Sequence, residues 1–455
     1  MGVRRSRGSH HRLLTPQSSS PAARDGASQL DGDRSQYAVG VAGDPSERTA
    51  LRDAIREEGF RLGFSAVGFA PPRLPEAGER FEEWLAGGNH GNMHWMARNP
   101  ARRSDAASIR SGNGSSAPAA ERTVIACGLN YYAGEPASAP SGGGVVSQYA
   151  QGEDYHRVLD AKLRALTAFA QARAVEAGLL PERPPGERRR IPTLVDHGPL
   201  LEKAFAQRAG LGWIGKHSNV IATRGSSWFF LGEILFPVEL PSDDSHPDRC
   251  GTCTRCMAAC PTDAIVEPYV VDSRRCISYL TIELRGPIPV EFRQAMGDRI
   301  FGCDDCQDVC PWNRFAARLE EPRLAASANG LHTETLAALL RLTPEEFRAR
   351  TRRSAIRRAG YAGFLRNVAV ALGNVGGPGA FEALEEALDH PEPLVRGHAA
   401  WALAQLDRER ARPHLARGVR NESDPGARSE MRAALSGTSK GVPSPTGSRP
   451  ASPRR

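Results

Sequence analysis

Eight of the nine cysteines in this chain lie between Cys250 and Cys310, and their spacing implies redox chemistry. One run, CGTCTRCMAACP, holds Cys250, Cys253, Cys256 and Cys260. A second, CDDCQDVCP, holds Cys303, Cys306 and Cys310, and Cys276 stands between them. C-x2-C-x2-C-x3-C-P is the spacing with which bacterial ferredoxins hold a pair of four-iron clusters. Three close thiolates wrap one cluster, and the fourth, just before proline, crosses to the other. By that crossing, Cys250, Cys253, Cys256 and Cys310 hold cluster 1, and Cys260, Cys276, Cys303 and Cys306 hold cluster 2. Zinc sites also use C-x2-C pairs but do not need the proline-terminated fourth cysteine. A chain with long cysteine-poor flanks and a large core needs no disulfide staples. Electron transfer through two [4Fe–4S] clusters is the expected chemistry.

The segment VDHGPLLEKAFAQRAGLGWIGKHSNVI (195–221) carries the other candidates. Gly210-x4-Gly215-Lys216 imitates a phosphate-binding loop, but His217 replaces the required Ser or Thr and a helix precedes the glycines. Asp196 falls at the end of an expected strand, where an α/β sheet presents side chains to a ligand crevice. The alternative is an N-cap for a helix beginning near Pro199. His217 is either a satisfied loop imidazole or a cofactor contact. No GxGxxG followed by a ribose-binding acid accompanies them, so no hydride carrier is indicated.

The elements that must position these residues are legible in outline. The 455 residues leave room for two or three domains, and a net charge of +7 permits a polyanionic partner. No apolar run reaches the length of a transmembrane helix. Residues 1–43 read as a disordered basic tail; Arg4-Arg5 has no apolar stretch behind it, so a twin-arginine export signal is not expected. Residues 44–245 form an α/β domain. It opens on a helix capped by Asp44 and Pro45, with strands at 65–70, 123–132, 191–196, 219–223 and 228–236 and a long helix at 153–177. Cys127, on a buried strand, reads as a small core hydrophobe. The stretches 111–119 and 134–145 look like surface insertions. Residues 246–320 form the ferredoxin-like module. In 321–435, LRNVAVALGNVG and VRGHAAWALAQLD recur at roughly the thirty-residue period of HEAT-like helical repeats. Residues 436–455 form a second disordered tail.

Five segments then combine: Asp196-x2-Pro199-x2-Glu202, GLGWIGKH, FFLGEIL, CISYLTIELRGPIP and FGCDDCQDVCPWN. Together they resemble the epoxyqueuosine reductase family over roughly Asp44 to Asp407. The resemblance implies a cobalamin-binding α/β core, a two-cluster module and a HEAT-like domain. It also implies a cytoplasmic, monomeric enzyme that reduces epoxyqueuosine at the wobble position of tRNA to queuosine, the last step of queuosine biosynthesis. Cob(II)alamin and two [4Fe–4S] clusters are the implied cofactors, with an unidentified low-potential electron donor. Asp196 matches the family's proton donor and also lies near the cobalamin. Arg103 matches an arginine of an R-x-x-P pattern, with Ala106 in place of the proline. His217, Val220, Leu231, Ser273 and Asp304 are the further cobalamin contacts it implies.

Converting an epoxide to an alkene consumes two electrons and two protons and releases water, so an acid must protonate the departing oxygen. For the tRNA, Arg285, Arg353, Arg357 and Arg366 are the candidate contacts. The arginines from Arg348 to Arg358 crowd one expected helical stretch, either as a solvated face or as phosphate contacts. A corrinoid reductive dehalogenase would share both cofactors but would carry a full export signal and lack the repeats. A plain ferredoxin-type carrier would need neither GWIGKH nor the α/β domain.

Overall fold

The computed structural model describes residues 44–109, 122–134, 142–184, 186, 190–222, 225–326 and 330–437. The expected tails and the 111–119 insertion, with most of 134–145, lie outside the described residues, apart from the helix end at 436–437.

Local capping starts the chain as its residues dictate. In α1 (Pro45–Arg61) the Asp44 carboxylate accepts from Ser46 N at 3.0 Å, Pro45 opens the helix, and Leu51 and Ile55 are buried. Next come β1 (Ala66–Ala70), α2 (Pro75–Ala86), β2 (Thr123–Asn130), β3 (Val145–Val146) and α3 (Tyr155–Glu176). They are followed by β4 (Thr193–Leu194), α4 (Glu202–Arg208), β5 (Gly212–Ile214), β6 (Val220–Ala222) and β7 (Phe229–Phe236). The main sheet has the order β1-β2-β7-β4, and every pairing is antiparallel. Strand alternation with helices suggested an α/β layering, and the layering holds: α1 and α3 cover one face, α4 the other. A strand buried on both faces is apolar throughout, so strand direction leaves no mark on the sequence. β5 and β6 form a separate antiparallel hairpin.

The module that follows contains α5 (Arg255–Ala259), β8 (Ile265–Glu267), β9 (Val270–Val271), α6 (Ile277–Ile282), α7 (Val290–Arg293), β10 (Arg299–Phe301) and α8 (Asp305–Asp308). β10 pairs in parallel with β3, joining this module to the α/β layers. The helical part has α9 (Leu336–Leu340), α10 (Pro344–Arg350), α11 (Tyr361–Val375), α12 (Ala380–Glu386), α13 (Pro393–Leu406), α14 (Arg408–Asn421) and α15 (Pro425–Ser436). One continuous core joins Leu280, Ile288 and Phe301 to Phe364, Val368 and Trp401. The cluster module and the repeats therefore share an interior.

That shared interior corrects one expectation. Arg366 is 0 % exposed and cannot meet tRNA. Its guanidinium donates to Leu280 O at 2.6 Å, Leu284 O at 2.8 Å and Gly286 O at 2.7 Å. These carbonyls lie in and just beyond α6, where a helix end leaves acceptors without intrahelical partners. Neighbouring Asn367 donates to Thr281 O and Ile300 O. The arginines from Arg348 to Arg358 do not share one helix either. α10 ends at Arg350, and a 3-10 turn, Ala355–Ala359, leads into α11.

Candidate active site and cluster cavity

The β5–β6 hairpin and the first cysteine run enclose a cavity of 310 Å³ lined by Cys250, Cys253, Cys256 and Cys310 with His217 and Trp312. Among the described residues no three His, Cys, Asp or Glu side chains converge as they would on a single ion; these thiols ring a void instead. Cys306 sits within electrostatic reach of Cys276, Cys303 and Cys260, the other four-thiol group. Burial pushes the Cys310 thiol up to about 11, so only bound iron would hold it as thiolate near neutral pH.

His217 lines this cavity. It is 4 % exposed, and its Nδ1 accepts from Asn219 N at 3.1 Å. The proton therefore sits on Nε2, which is buried without a partner, as is the Trp213 indole N–H. Burial and then the Lys203 charge bring His217 down to about 4.

Asp196 heads a second constellation. Its backbone is left-handed, with φ 58°, an unusual conformation outside glycine that aspartate tolerates. Two contacts hold it there. Tyr155 OH donates to Asp196 Oδ2 at 2.6 Å, and Asp196 N donates to Glu202 Oε1 at 2.6 Å. The Tyr155 ring stacks flat on Phe230 at 4.3 Å. α4 starts at Glu202 and not near Pro199, so Asp196 is not its cap and the capping alternative falls. A cap residue needs extended backbone, which the left-handed turn at Asp196 denies.

Two further acids, quoted in the motifs but given no role from sequence, stand near Asp196. Burial, then the Asp196 charge, pushes the Glu202 carboxyl up to about 8. Glu233 in β7 is 0 % exposed, neither oxygen has a partner, and burial raises it well above the usual carboxylate range. The available signal was a lone acid inside the apolar FFLGEIL run. With its carboxyl raised, Glu202 stays neutral near pH 7, and its ionisation near pH 8 adds a negative charge to this constellation. An alkaline fall in kcat/KM is expected near pH 8, and Glu202→Gln should remove it while leaving the rate at pH 7 close to wild type. A pH profile of both enzymes checks this.

A second pocket, of 80 Å³, holds Lys203 in its lining. Val220, Phe229 and Leu231 form its apolar side, and Lys203, Asn219 and Gln307 are among its polar lining. Lys203 Nζ donates to Asn219 Oδ1 at 3.0 Å and lies within electrostatic reach of Asp196, Cys306 and Cys276. Of the expected cobalamin contacts, Val220 and Leu231 thus meet, with Asp196 nearby. Arg103, Ser273 and Asp304 do not line this pocket. Arg103 donates to Trp95 O and Met96 O, securing the turn between them. Ser273 N donates to Asn89 O, and Asp304 accepts from Ser147 Oγ and from Gln148 N at 2.8 Å.

Arg285, Arg353 and Arg357 are exposed. Arg285 donates to Ala359 O at 2.9 Å. The turn it steadies also carries Arg358, which pairs with Glu283, lies 5.3 Å over the Trp95 ring and reaches Asp196 electrostatically. Cys127 is buried on β2 as expected.

A ferredoxin-like module set against an acid-bearing pocket and backed by helical repeats defines an iron–sulfur oxidoreductase. Family models match its parts: a 4Fe-4S double cluster binding domain over 249–313, HEAT repeats over 351–436, and the model described as Epoxyqueuosine reductase QueG, DUF1730, over 116–180. The chain belongs to the epoxyqueuosine reductase family. It is 40% identical over 366 residues to the epoxyqueuosine reductase of Shigella dysenteriae serotype 1, covering 80% of this chain and 91% of the relative. It is 42% identical over 370 residues to that of Xanthomonas campestris pv. campestris, covering 80% and 97%. The crystal structure of an epoxyqueuosine reductase with an epoxyqueuosine-modified tRNA-Tyr stem loop matches with a TM-score of 0.75 at 25% identity, covering 85% of this chain and 98% of that one. No helix among the described residues is long and apolar enough to cross a membrane.

Proposed function

We propose that this chain reduces epoxyqueuosine in the anticodon loop of tRNA to queuosine, as a cytoplasmic monomer, using two [4Fe–4S] clusters and cobalamin. The observation that supports the reading is Lys203, which lines the inner pocket and lies within electrostatic reach of both Asp196 and the Cys306 thiol group. A proton source and an electron source meet there.

The residues fit the implied groups. Cys250, Cys253, Cys256 and Cys310 would hold cluster 1 in the larger cavity, whose orphan His217 and Trp213 N–H groups suit the sulfurs of an anionic cluster. Cys260, Cys276, Cys303 and Cys306 would hold cluster 2. Exchange of each ligand tests the two sets. Cys310→Ser and Cys256→Ser should lose one reduced-cluster EPR signal and about half the iron, whereas Cys260→Ser and Cys306→Ser should lose the other. Loss of the same signal from Cys260→Ser and Cys256→Ser would refute the crossing.

Val220 and Leu231 would offer a corrin their apolar surface, and Lys203, Asn219 and Gln307 would offer it polar contacts. The chemistry cobalamin supplies when bound is reduction at a carbon–oxygen bond with electrons received one at a time. Asp196 donates the proton to the departing oxygen, and Tyr155 and Glu202 hold it in place. The structure of the Bacillus subtilis family member is described with a catalytic aspartate loop swung out of its active site, which supports a role for a loop aspartate here. Arg103, Ser273 and Asp304, the other implied cobalamin contacts, make local bonds to Trp95 and Met96, to Asn89, and to Ser147 and Gln148.

For the tRNA, a wobble base must be unstacked to reach the pocket. Trp95, 40 % exposed under Arg358, offers a stacking surface at that mouth. Arg285, Arg353 and Arg357 would meet phosphates. Replacing Arg353 and Arg357 by Gln should weaken stem-loop binding and lower the slope of log K against log salt by about 0.7 per lost contact. Fluorescence titration at several salt concentrations would show it.

The deciding experiment is anaerobic reconstitution with iron, sulfide and cobalamin, followed by a chemical-reductant assay on epoxyqueuosine-bearing tRNA. Nucleoside mass spectrometry should report loss of one oxygen only when both cofactors are present. Corrinoid binding with untouched tRNA would overturn the proposal.

A further inference from the structure

The cavity ringed by Cys250, Cys253, Cys256 and Cys310 is also lined by Arg249, Arg255 and Arg314. All three arginines are exposed, and among the described residues no carboxylate is paired with any of them. Arg314 lies over the Phe315 ring at 4.6 Å and the Trp312 ring at 5.9 Å, and Phe315 is 48 % exposed. The adjoining acid, Asp248, is occupied: it accepts from Tyr269 OH at 2.5 Å and from Cys250 N at 2.8 Å. The other thiol group faces inward, with Cys276 and Cys306 in reach of Lys203 at the pocket. Electrons bound for that pocket therefore have their accessible entrance at the outer cavity.

We propose that Arg249, Arg255, Arg314 and Phe315 form the docking surface for a small acidic one-electron carrier protein. The inference rests on the proposed function only in requiring that the clusters be reduced. Unpaired guanidiniums around a concave site create a local positive potential, which raises the association rate of an anionic partner by about 10- to 1,000-fold and does so less at high salt. The exposed Phe315 ring under Arg314 supplies an apolar anchor beside the cavity, and a small rim is what brief redox encounters use. In each encounter the carrier loses one electron and the outer cluster gains one; no atom moves. Two encounters deliver the pair that the epoxide consumes. Nucleic acid is disfavoured here because the exposed arginines attached to the Asp196 mouth lie on a different segment, around Arg357 and Arg358.

The test uses the cluster-loaded full chain and reduced flavodoxin as the acidic probe, with stopped-flow absorbance reading cluster reduction. R249Q/R255Q/R314Q should be reduced at least about 10-fold more slowly at low salt, and the salt dependence seen in the wild type should vanish. Photoreduced deazaflavin, which needs no docking, should reduce both enzymes alike. Phe315→Ala should slow the flavodoxin reaction without any change of charge. Equal flavodoxin rates in wild type and triple variant would overturn the proposal. So would an unchanged flavodoxin rate with lost stem-loop affinity, which would assign the patch to RNA. Should the triple variant load clusters poorly, Arg314→Gln decides by the same comparison. Epoxide turnover is not the readout, so failure of the enzymatic reading would leave this result standing.

Discussion

An Asp196→Asn enzyme is expected to load its clusters and cofactor normally and to turn over about 100- to 10,000-fold more slowly, the range for removal of a positioned general acid. The amide keeps the size of the carboxyl group and can still accept from Tyr155, so the left-handed turn should survive. What disappears is the ability to hand a proton to the departing oxygen. Tyr155→Phe should lose less, because it removes a bond that positions Asp196 but leaves the carboxyl group itself. The split matters: a structural role for Asp196 would lower cofactor loading or stability, whereas a catalytic one lowers kcat alone. Single-turnover assays on variants of measured iron and corrinoid content would separate them. Undiminished turnover in a fully loaded Asp196→Asn enzyme would remove this residue from the mechanism.

Replacement of Arg366 by Leu should destabilise the chain by at least about 3 kcal/mol. The buried carbonyl of Leu280 and the part-buried carbonyls of Leu284 and Gly286 lose the guanidinium donors, and a buried acceptor left unsatisfied costs about 1–3 kcal/mol, with the lost packing of the buried side chain added to it. The damage should extend beyond α11. These bonds join the repeats to the chain just after Cys276, so cluster loading is expected to fall with stability. Thermal unfolding followed by circular dichroism, with iron analysis, measures both. A variant of normal stability that binds stem-loop RNA weakly would restore Arg366 to the surface role its sequence suggested.

Arg366 also marks where sequence reasoning stopped. In LRNVAVALGNVG its neighbours show a helix, but the acceptors that bury it lie some eighty residues earlier, and no local pattern records them. The cysteines were the opposite case, because ligand spacing is a property of a short stretch of backbone. Helix starts at Asp44 and Asp154 were legible for the same reason, since each carboxylate caps a backbone N–H two residues on. The start expected near Pro199 moved to Glu202 because Asp196 bends the chain into a left-handed turn held by Tyr155, forty-one residues away in the sequence. His217 sits on a hairpin that lies between two sites, and only the fold shows that an imidazole there lines the outer cavity. Glu202 and Glu233 carry unusual protonation because of burial between layers, which composition cannot convey.

The hairpin from Gly212 to Ala222 turns Trp213, His217 and Ile221 toward the outer cysteines, while Asn219 and Val220 line the inner pocket. Two chambers thus share a party wall one hairpin thick. Variation in such a wall is judged twice. A change that improves the fit on one side must be tolerated within a residue or two on the other, so drift in the two linings is expected to be correlated. Anyone retuning the pocket for a different substrate would do better to begin at Phe229 or Leu231 in β7, which face the inner chamber without bordering the outer one.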